Sequence, residues 1–307
     1  MVGSRRGHLV EGEQECRTTM EAPEGQVKLA PGLYLVATPI GNLRDITLRA
    51  RDVLRGADVI ACEDTRVTRR LLDRYDIATP LVRYDDHSGD GDRRRLLDRV
   101  ASGEAVALAS DAGTPLVSDP GFKLVRAAVA EGLDVVPVPG PSSVLAALCL
   151  AGLPTDRFSF AGFLPEKAAG RQAALADALG LPGTVVAFEA ARRLPGCLAD
   201  LAALDPGRPV VVARELTKRF EEAVRGSAAE LAERYRKEGP PRGEVVLVIG
   251  PPAEADAGAA DLDSALRAAL RDLSVKEAAS AVAYMTGRKR REVYARAVEL
   301  SKERDGR

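Results

Sequence analysis

The feature that most constrains this chain is an alternation. Short apolar runs, each ended by turn residues, are separated by stretches with helical spacing. Residues 33–38, 57–61, 105–109 and 135–138 read as strands, and 47–56, 67–75 and 122–131 as the helices between them, with Thr47 as an N-cap. Parallel neighbours need a crossover long enough to hold a helix, so this rhythm predicts an α/β fold with a mainly parallel sheet. A second set follows. Residues 158–163, 184–188, 209–214 and 244–249 read as strands, and 171–179, 194–204 and 228–237 as helices.

The expected organisation is an N-terminal α/β domain over 31–151 and a C-terminal α/β domain over 152–250. Residues 251–263 are rich in Pro, Ala and Gly and acidic, which suits a linker. Residues 264–307 read as a basic helical segment, with helices at 264–273, 275–285 and 291–302. Residues 1–30 are polar and aperiodic. They read as a disordered or mis-started extension, with Met20 as an alternative initiator.

Composition narrows the partners. With 44 Lys+Arg against 45 Asp+Glu the net charge is −1, which excludes an all-over basic coat for nucleic acid but not a local patch. The basic residues are 36 Arg and 8 Lys. That bias suits forked phosphate contacts and equally reflects codon composition. Cys16, Cys62, Cys149 and Cys197 are scattered, which argues against a disulfide scaffold or a thiolate zinc site and predicts a cytoplasmic protein. No apolar run approaches the ~18 residues of a membrane span, so no membrane partner is expected.

Three loops follow strands and are rich in small and hydroxylic residues: 38–42, 110–115 and 139–143. In open parallel sheets, ligands bind beyond the carboxyl ends of the strands. Small residues let backbone amides approach a ligand, and Ser, Thr and Asp supply a few directed hydrogen bonds. None of the three is a GxGxxG fingerprint or a phosphate-binding P-loop. A shared small-molecule site at the three strand ends is therefore expected.

The ordered set Thr38-Pro39-Ile40-Gly41-Asn42-Leu43, Glu63-Asp64-Thr65-Arg66, Ser110-Asp111-Ala112-Gly113-Thr114-Pro115, Asp119-Pro120-Gly121 and Pro139-Gly140-Pro141-Ser142 resembles the tetrapyrrole methylase family. These are the class III methyltransferases that use S-adenosylmethionine. Further markers are Gly152-Leu153-Pro154-Thr155-Asp156-Arg157-Phe158, Gly162-Phe163-Leu164-Pro165 with Lys167, Phe188-Glu189 with Arg192, and Ala213-Arg214-Glu215-Leu216-Thr217-Lys218. They resemble the branch that makes 2′-O-methylcytidine in 16S rRNA of the small ribosomal subunit. The resemblance spans residues 33–250, with a weaker echo beyond.

The resemblance implies two α/β domains with the methyl donor in the cleft between them, and a homodimer. By position it assigns the donor to Ile40 and Gly41, to Ser110, Asp111, Gly113 and Thr114, and to Gly140, Pro141, Ser142 and Ser143. On the second domain it assigns Phe188, Glu189, Ala213 and Gly243, with Glu244 beside them.

Methyl transfer from a sulfonium is an in-line displacement that depends on alignment and on relieving the attacking hydroxyl of its proton. Ionisable residues in the branch markers are the candidates. Asp64 and Glu215 are the expected proton acceptors, with Glu63 and Arg66 beside the first; each carboxylate could equally form an ion pair that locks a loop. His87, in Asp85-Asp86-His87-Ser88, reads as a substrate contact or a solvated loop residue. No metal is expected.

Arg192, Arg214, Lys218, Lys167 and the run Arg288-Lys289-Arg290-Arg291 are the expected RNA contacts, and phosphate contacts of this kind position RNA rather than specify a base. Aromatic residues make up 4%, so recognition of shape or of an assembled subunit is favoured over single-strand stacking. The pattern from Val275 to Tyr294 has helix-turn-helix spacing, and reads either as an RNA-contacting appendage or as a helical cap. The rival activities are methylation of a tetrapyrrole and non-catalytic RNA binding in ribosome assembly.

Overall fold

The computed structural model describes residues 28–251, 259–271, 273–286 and 288–305. The readings for residues 1–27 and 252–258 lie outside them. Two compact units emerge, 1–250 and 251–307.

The first sheet of unit one comprises β1 (Gly32–Val36), β2 (Val59–Cys62), β3 (Leu81–Arg83), β4 (Ala105–Ala109) and β5 (Val135–Val138). All its pairings are parallel, in the order β3-β2-β4-β1-β5. The crossover helices are α1 (Leu48–Gly56), α2 (Thr65–Arg74), α3 (Asp90–Ala101) and α4 (Phe122–Ala130). Side-chain alternation distributes them over both faces. Tyr34, Val36, Ile60 and Ala107 pack with α1 and α2, whereas Leu33, Val59, Val106 and Leu108 pack with α3 and α4. The strand at β3 and the helix at α3 were not delimited from sequence, since three residues and an Arg-rich start carry little apolar periodicity.

Next in the chain comes α5 (Ser143–Ala151), an almost wholly apolar helix that was not anticipated. The second sheet is built from β6 (Phe158–Phe163), β7 (Thr184–Ala190), β8 (Pro209–Arg214), β9 (Glu222–Ser227) and β10 (Glu244–Ile249). Its order is β6-β7-β10-β8-β9, and only β6–β7 is parallel. The second α/β set is thus a mixed sheet. The strand missed, β9, returns beside β8 as an antiparallel neighbour. Helices α6 (Ala168–Gly180), α7 (Leu194–Leu204) and α8 (Ala228–Glu238) cover one face.

The other face is covered by α5, whose Val144, Ala147, Leu148 and Ala151 pack on Val186, Val211, Ala213, Val246 and Val248. The boundary expected after residue 151 therefore cuts between α5 and the sheet it packs on. Burial, rather than chain order, assigns α5 to the second sheet.

Unit two holds α9 (Ala259–Ala269), α10 (Val275–Thr286) and α11 (Arg290–Asp305). Helix α9 begins inside the expected linker, because Leu262, Leu266 and Leu270 form one buried stripe that the Ala- and Asp-rich composition masked. Ala278, Ala279, Val282, Val293 and Ala297 complete this core, and Arg296 bridges Asp263 of α9. Among the described residues no helix is long and apolar enough to cross a membrane.

Candidate functional site

The three loops singled out by composition follow β1, β4 and β5, which are neighbours in the sheet. Backbone and hydroxyl groups stitch them together. Thr38 N–H donates to Gly113 O at 2.9 Å, and Gly113 N–H donates back to Thr38 O at 3.0 Å. The Thr38 hydroxyl donates to Ser110 O at 2.8 Å, and that of Thr114 to Pro141 O at 3.1 Å. A Cβ on Gly140 would lie 3.0 Å from Cβ of Ala37, so the loops after β1 and β5 meet only because residue 140 has no side chain. Ser142 caps α5 by accepting from Leu145 N–H, leaving the first turn of α5 facing the space above.

That space is a cavity of about 570 Å³ between the two sheets. From the first sheet it is lined by Ile40, Gly113 and Thr114 with Ala112 and Val117–Asp119, and from the start of α5 by Ser142, Ser143 and Val144. From the second it is lined by Phe163, Phe188–Arg192, Leu216 and Gly243–Val246. Among the expected donor contacts, Ile40, Gly113, Thr114, Ser142, Ser143, Phe188, Glu189 and Gly243 meet on this wall. Gly41, Ser110, Asp111, Gly140, Pro141 and Ala213 are not among its lining residues. Gly41 gives room to the Lys218 stem, whose Cγ would be 2.4 Å from an added Cβ, and Ala213 lies in the core beneath the floor.

Strand alternation decides the role of Glu189. Phe188 points to the cavity face, with Phe160 and Phe163 stacked edge-on to it at 4.9 and 5.2 Å. Glu189 points the opposite way. Its carboxylate is fully buried, accepts from Arg193 Nε at 2.6 Å and from Ala190 N–H at 2.7 Å, and lies near Cys197. Burial pushes the Cys197 thiol up to about 12. Glu189 thus offers the cavity only its backbone.

The two carboxylates expected to accept a proton are engaged elsewhere. Asp64 caps α2 and grips Arg66 at 2.6 Å; those hydrogen bonds hold its carboxyl well below the usual carboxylate range. Neither lines the cavity. Glu215 bonds Lys218 Nζ at 2.9 Å and accepts from Glu244 N–H at 3.0 Å, which lowers its carboxyl. Lys218 also reaches Glu244 at 3.0 Å, and Thr217 accepts from Asn42 N–H at 3.2 Å. This group is a clasp between the loop after β8 and the loop after β1.

Glu63 is different: burial and the neighbouring Asp111 and Asp86 push it up. Burial likewise raises Asp111, although it accepts from Asp64 N–H at 3.1 Å. Asp119, on the cavity wall, is pushed up to about 6 by burial and by Glu63, Asp111 and Asp86. It belongs to the Asp119-Pro120-Gly121 marker, where nothing local in the sequence distinguishes it from a turn residue.

The expected RNA contacts disperse. Arg192 is exposed at the cavity rim, Lys167 is exposed at the start of α6, and Arg214 turns away to Glu222 at 2.9 Å. Lys218 is committed to the clasp. Arg288 is partly buried, and Lys289, Arg290 and Arg291 are exposed at the start of α11. Among the described residues no cluster of His, Cys, Asp or Glu is arranged to hold a metal ion.

Two mismatched α/β sheets enclosing a cavity at the carboxyl ends of β4, β1 and β5 define a class. Residues 32–232 match the tetrapyrrole (corrin/porphyrin) methylases, and residues 256–301 the RsmI C-terminal HTH domain. The chain is 48% identical to the ribosomal RNA small subunit methyltransferase I of Mesorhizobium japonicum over 89% of its length and 93% of the relative's. It is 46% identical to the same-named protein of Pseudomonas aeruginosa over 87% and 96%.

Uroporphyrin-III C-methyl transferase from Thermus thermophilus, complexed with S-adenyl homocysteine, matches with a TM-score of 0.50 at 26% identity, over 71% of this chain and 97% of that one. Diphthine synthase shares the fold, with a TM-score of 0.56 at 16% identity over 71% and 89%. The chain belongs to the tetrapyrrole methylases, in the family of ribosomal RNA small subunit methyltransferase I. Its methyl donor is accordingly S-adenosylmethionine.

The cavity fits that donor. Its volume lies within the 300–1,000 Å³ usual for small-molecule sites. Ile40, Val144, Phe188, Leu216 and Val246 offer an apolar bed, while Gly113, with φ +84, brings backbone to the surface without a Cβ. Asp119 on the wall, raised by burial and by the nearby Glu63, Asp111 and Asp86, suits a positively charged sulfur.

Proposed function

We propose that this protein methylates the ribose 2′-hydroxyl of a cytidine in 16S rRNA of the small ribosomal subunit. The observation that carries the reading is the cavity above β4, β1 and β5, in a chain nearly half identical to ribosomal RNA small subunit methyltransferases along most of its length. The donor supplies an electrophilic methyl group on a cationic sulfur. Gly113, Thr114 and the first turn of α5 hold its polar parts, and Ile40, Phe188 and Val246 exclude water from its apolar parts. Positioning of this kind is worth about 7–11 kcal/mol of the barrier. Arg192 at the rim and the basic start of α11 are the phosphate contacts that orient the RNA.

The test supplies labelled S-adenosylmethionine with small subunits lacking the modification, and a tetrapyrrole as control. Label in 2′-O-methylcytidine supports the reading; label in the tetrapyrrole alone, or nowhere, overturns it. Reversing the charges of Arg288–Arg291 should weaken RNA binding and flatten its dependence on salt. A homodimer in the cytoplasm accompanies the proposal. The exposed Phe122 and Val129, seven residues apart on α4, support a paired face, and sedimentation of the free protein tests it.

A further inference from the structure

Among the described residues, two large apolar side chains on the cavity lining are exposed, Val117 from the first side and Phe163 from the second. Phe163 is one of six Phe in a chain without Trp, and it is 62% exposed. Regular strand alternation would not put it there. Phe160 and Phe163 are three apart, a spacing that sends side chains to opposite faces of a strand. Between them β6 gains one residue over β7, so that Phe160 pairs with Val186 and Phe163 with Phe188. Gly162, at φ +68, makes the extra step in the left-handed conformation that glycine enters freely. Both rings then meet Phe188 edge-on, but only Phe163 lines the cavity. Bulges of this kind re-aim side chains beside functional sites.

The backbone around this ring is held while the ring itself stays open to solvent. Leu164 N–H donates to Phe188 O at 3.1 Å, and Arg193 Nη2 donates to Leu164 O at 3.2 Å. Arg192, the residue before Arg193, brings an exposed guanidinium to the same cavity. Its contact with Glu166, at 3.7 Å, is between two exposed side chains and holds it weakly. Two adjoining turns thus present a π-face and a cation, the chemistries that hold a nucleotide by its base and by its phosphate.

The apolar bed for the methyl donor lies deeper, since Ile40, Val144, Leu216 and Val246 are buried. A nucleotide that brings its ribose to that bed enters from solvent and leaves its base among the outer residues. We propose that Phe163 is the platform on which the base of the methylated nucleotide stacks; this rests on the function proposed above. Presenting a 2′-hydroxyl inside a cavity takes the nucleotide out of its own stack, and the Phe163 ring replaces the partner it gives up. Stacking holds a base without selecting it, because every base has a π-face.

The experiment compares wild type with Phe163→Ala, Phe163→Leu and Phe163→Tyr, using labelled donor and unmodified small subunits. Ala should lower kcat/KM for the subunits by about 5–150-fold, the worth of one base–aromatic stack. Leu keeps apolar bulk without a π-face and should fall with Ala. Tyr keeps the ring and should stay within about threefold of wild type. By calorimetry, S-adenosylhomocysteine should bind all four proteins within about threefold, which also shows that each is folded.

A crosslink reads the contact directly. With p-benzoylphenylalanine at position 163, irradiation on unmodified small subunits should join the protein to the methylated cytidine or its immediate neighbours. Mapping that finds no crosslink there overturns the proposal. So does wild-type kcat/KM in the Leu variant, which would make the side chain an apolar cover. Loss of S-adenosylhomocysteine affinity by more than about tenfold in the Ala variant would give Phe163 to the donor and equally overturn it. If wild type itself labels no rRNA, the proposed function fails first and the platform falls with it. If wild type labels rRNA and the Ala variant equals it, only the platform is wrong.

Discussion

The two sides of the cavity treat their carboxylates in opposite ways. On the second-sheet side four acids hold cations: Glu189 with Arg193, Glu215 and Glu244 with Lys218, and Glu222 with Arg214. On the first-sheet side the outer acids Asp64 and Asp85 hold Arg66 and Arg83, but the inner Glu63, Asp111 and Asp119 are all pushed up from their ordinary values. A neutralised carboxylate fixes geometry, whereas an uncompensated one holds an unfavourable charge that a cation or a proton relieves. The second side holds its acids in ion pairs, and the first leaves three of them raised.

The comparison can be broken from either side. The largest effect on folding should come from Arg193→Met, which strands the buried Glu189 carboxylate. Its Oε2 already has no hydrogen-bond partner, so the loss should be about 3–5 kcal/mol in denaturant unfolding. A loss under about 1 kcal/mol would mean that Glu189 finds water or another partner, and that its ion pair with Arg193 does not hold the second side together. Gly243→Ala should be next. Gly243 has φ +91, and the new Cβ would lie 2.4 Å from Cδ of Glu215. About 1–3 kcal/mol of strain follows, together with weaker S-adenosylhomocysteine binding as the clasp shifts.

The smallest effect is that of Lys218→Met, because its partners are partly exposed: about 1 kcal/mol or less at pH 7. The Glu215 carboxyl is lowered by Lys218, so the pair stabilises above the ordinary value of 4.5 and is lost as pH falls below it. The penalty of the mutation should therefore vanish in acid melts. A penalty that does not shrink as pH falls from 6 to 3 would assign the role of Lys218 to packing of its stem against Gly41.

The parts legible in sequence are those whose signal is local. Apolar runs marked β4, β5, β6, β8 and β10 within a residue of their limits, and Thr47 marked the start of α1. The three cavity loops were readable because small residues cluster there for a backbone reason. What failed was context. Helix α5 is apolar all round, β9 alternates only weakly, and α9 hides its leucine stripe among Ala and Asp. Asp64 and Glu215 stand out in sequence as ionisable residues of the branch markers. In space Arg66 and Lys218, from the same markers, pair with them and lower their carboxyls.

By itself the sequence determined the α/β rhythm, the three glycine-containing loops after β1, β4 and β5, and the family, because each is written in adjacent residues and their order. Only the tertiary structure decided which face of β7 carries Glu189 and which sheet α5 covers. It also decided that Glu63, Asp86, Asp111 and Asp119, far apart in the chain, meet at one strand edge. Whether a carboxylate is basic depends on charge and burial within a few ångströms, and those distances exist only once β2, β3 and β4 lie side by side.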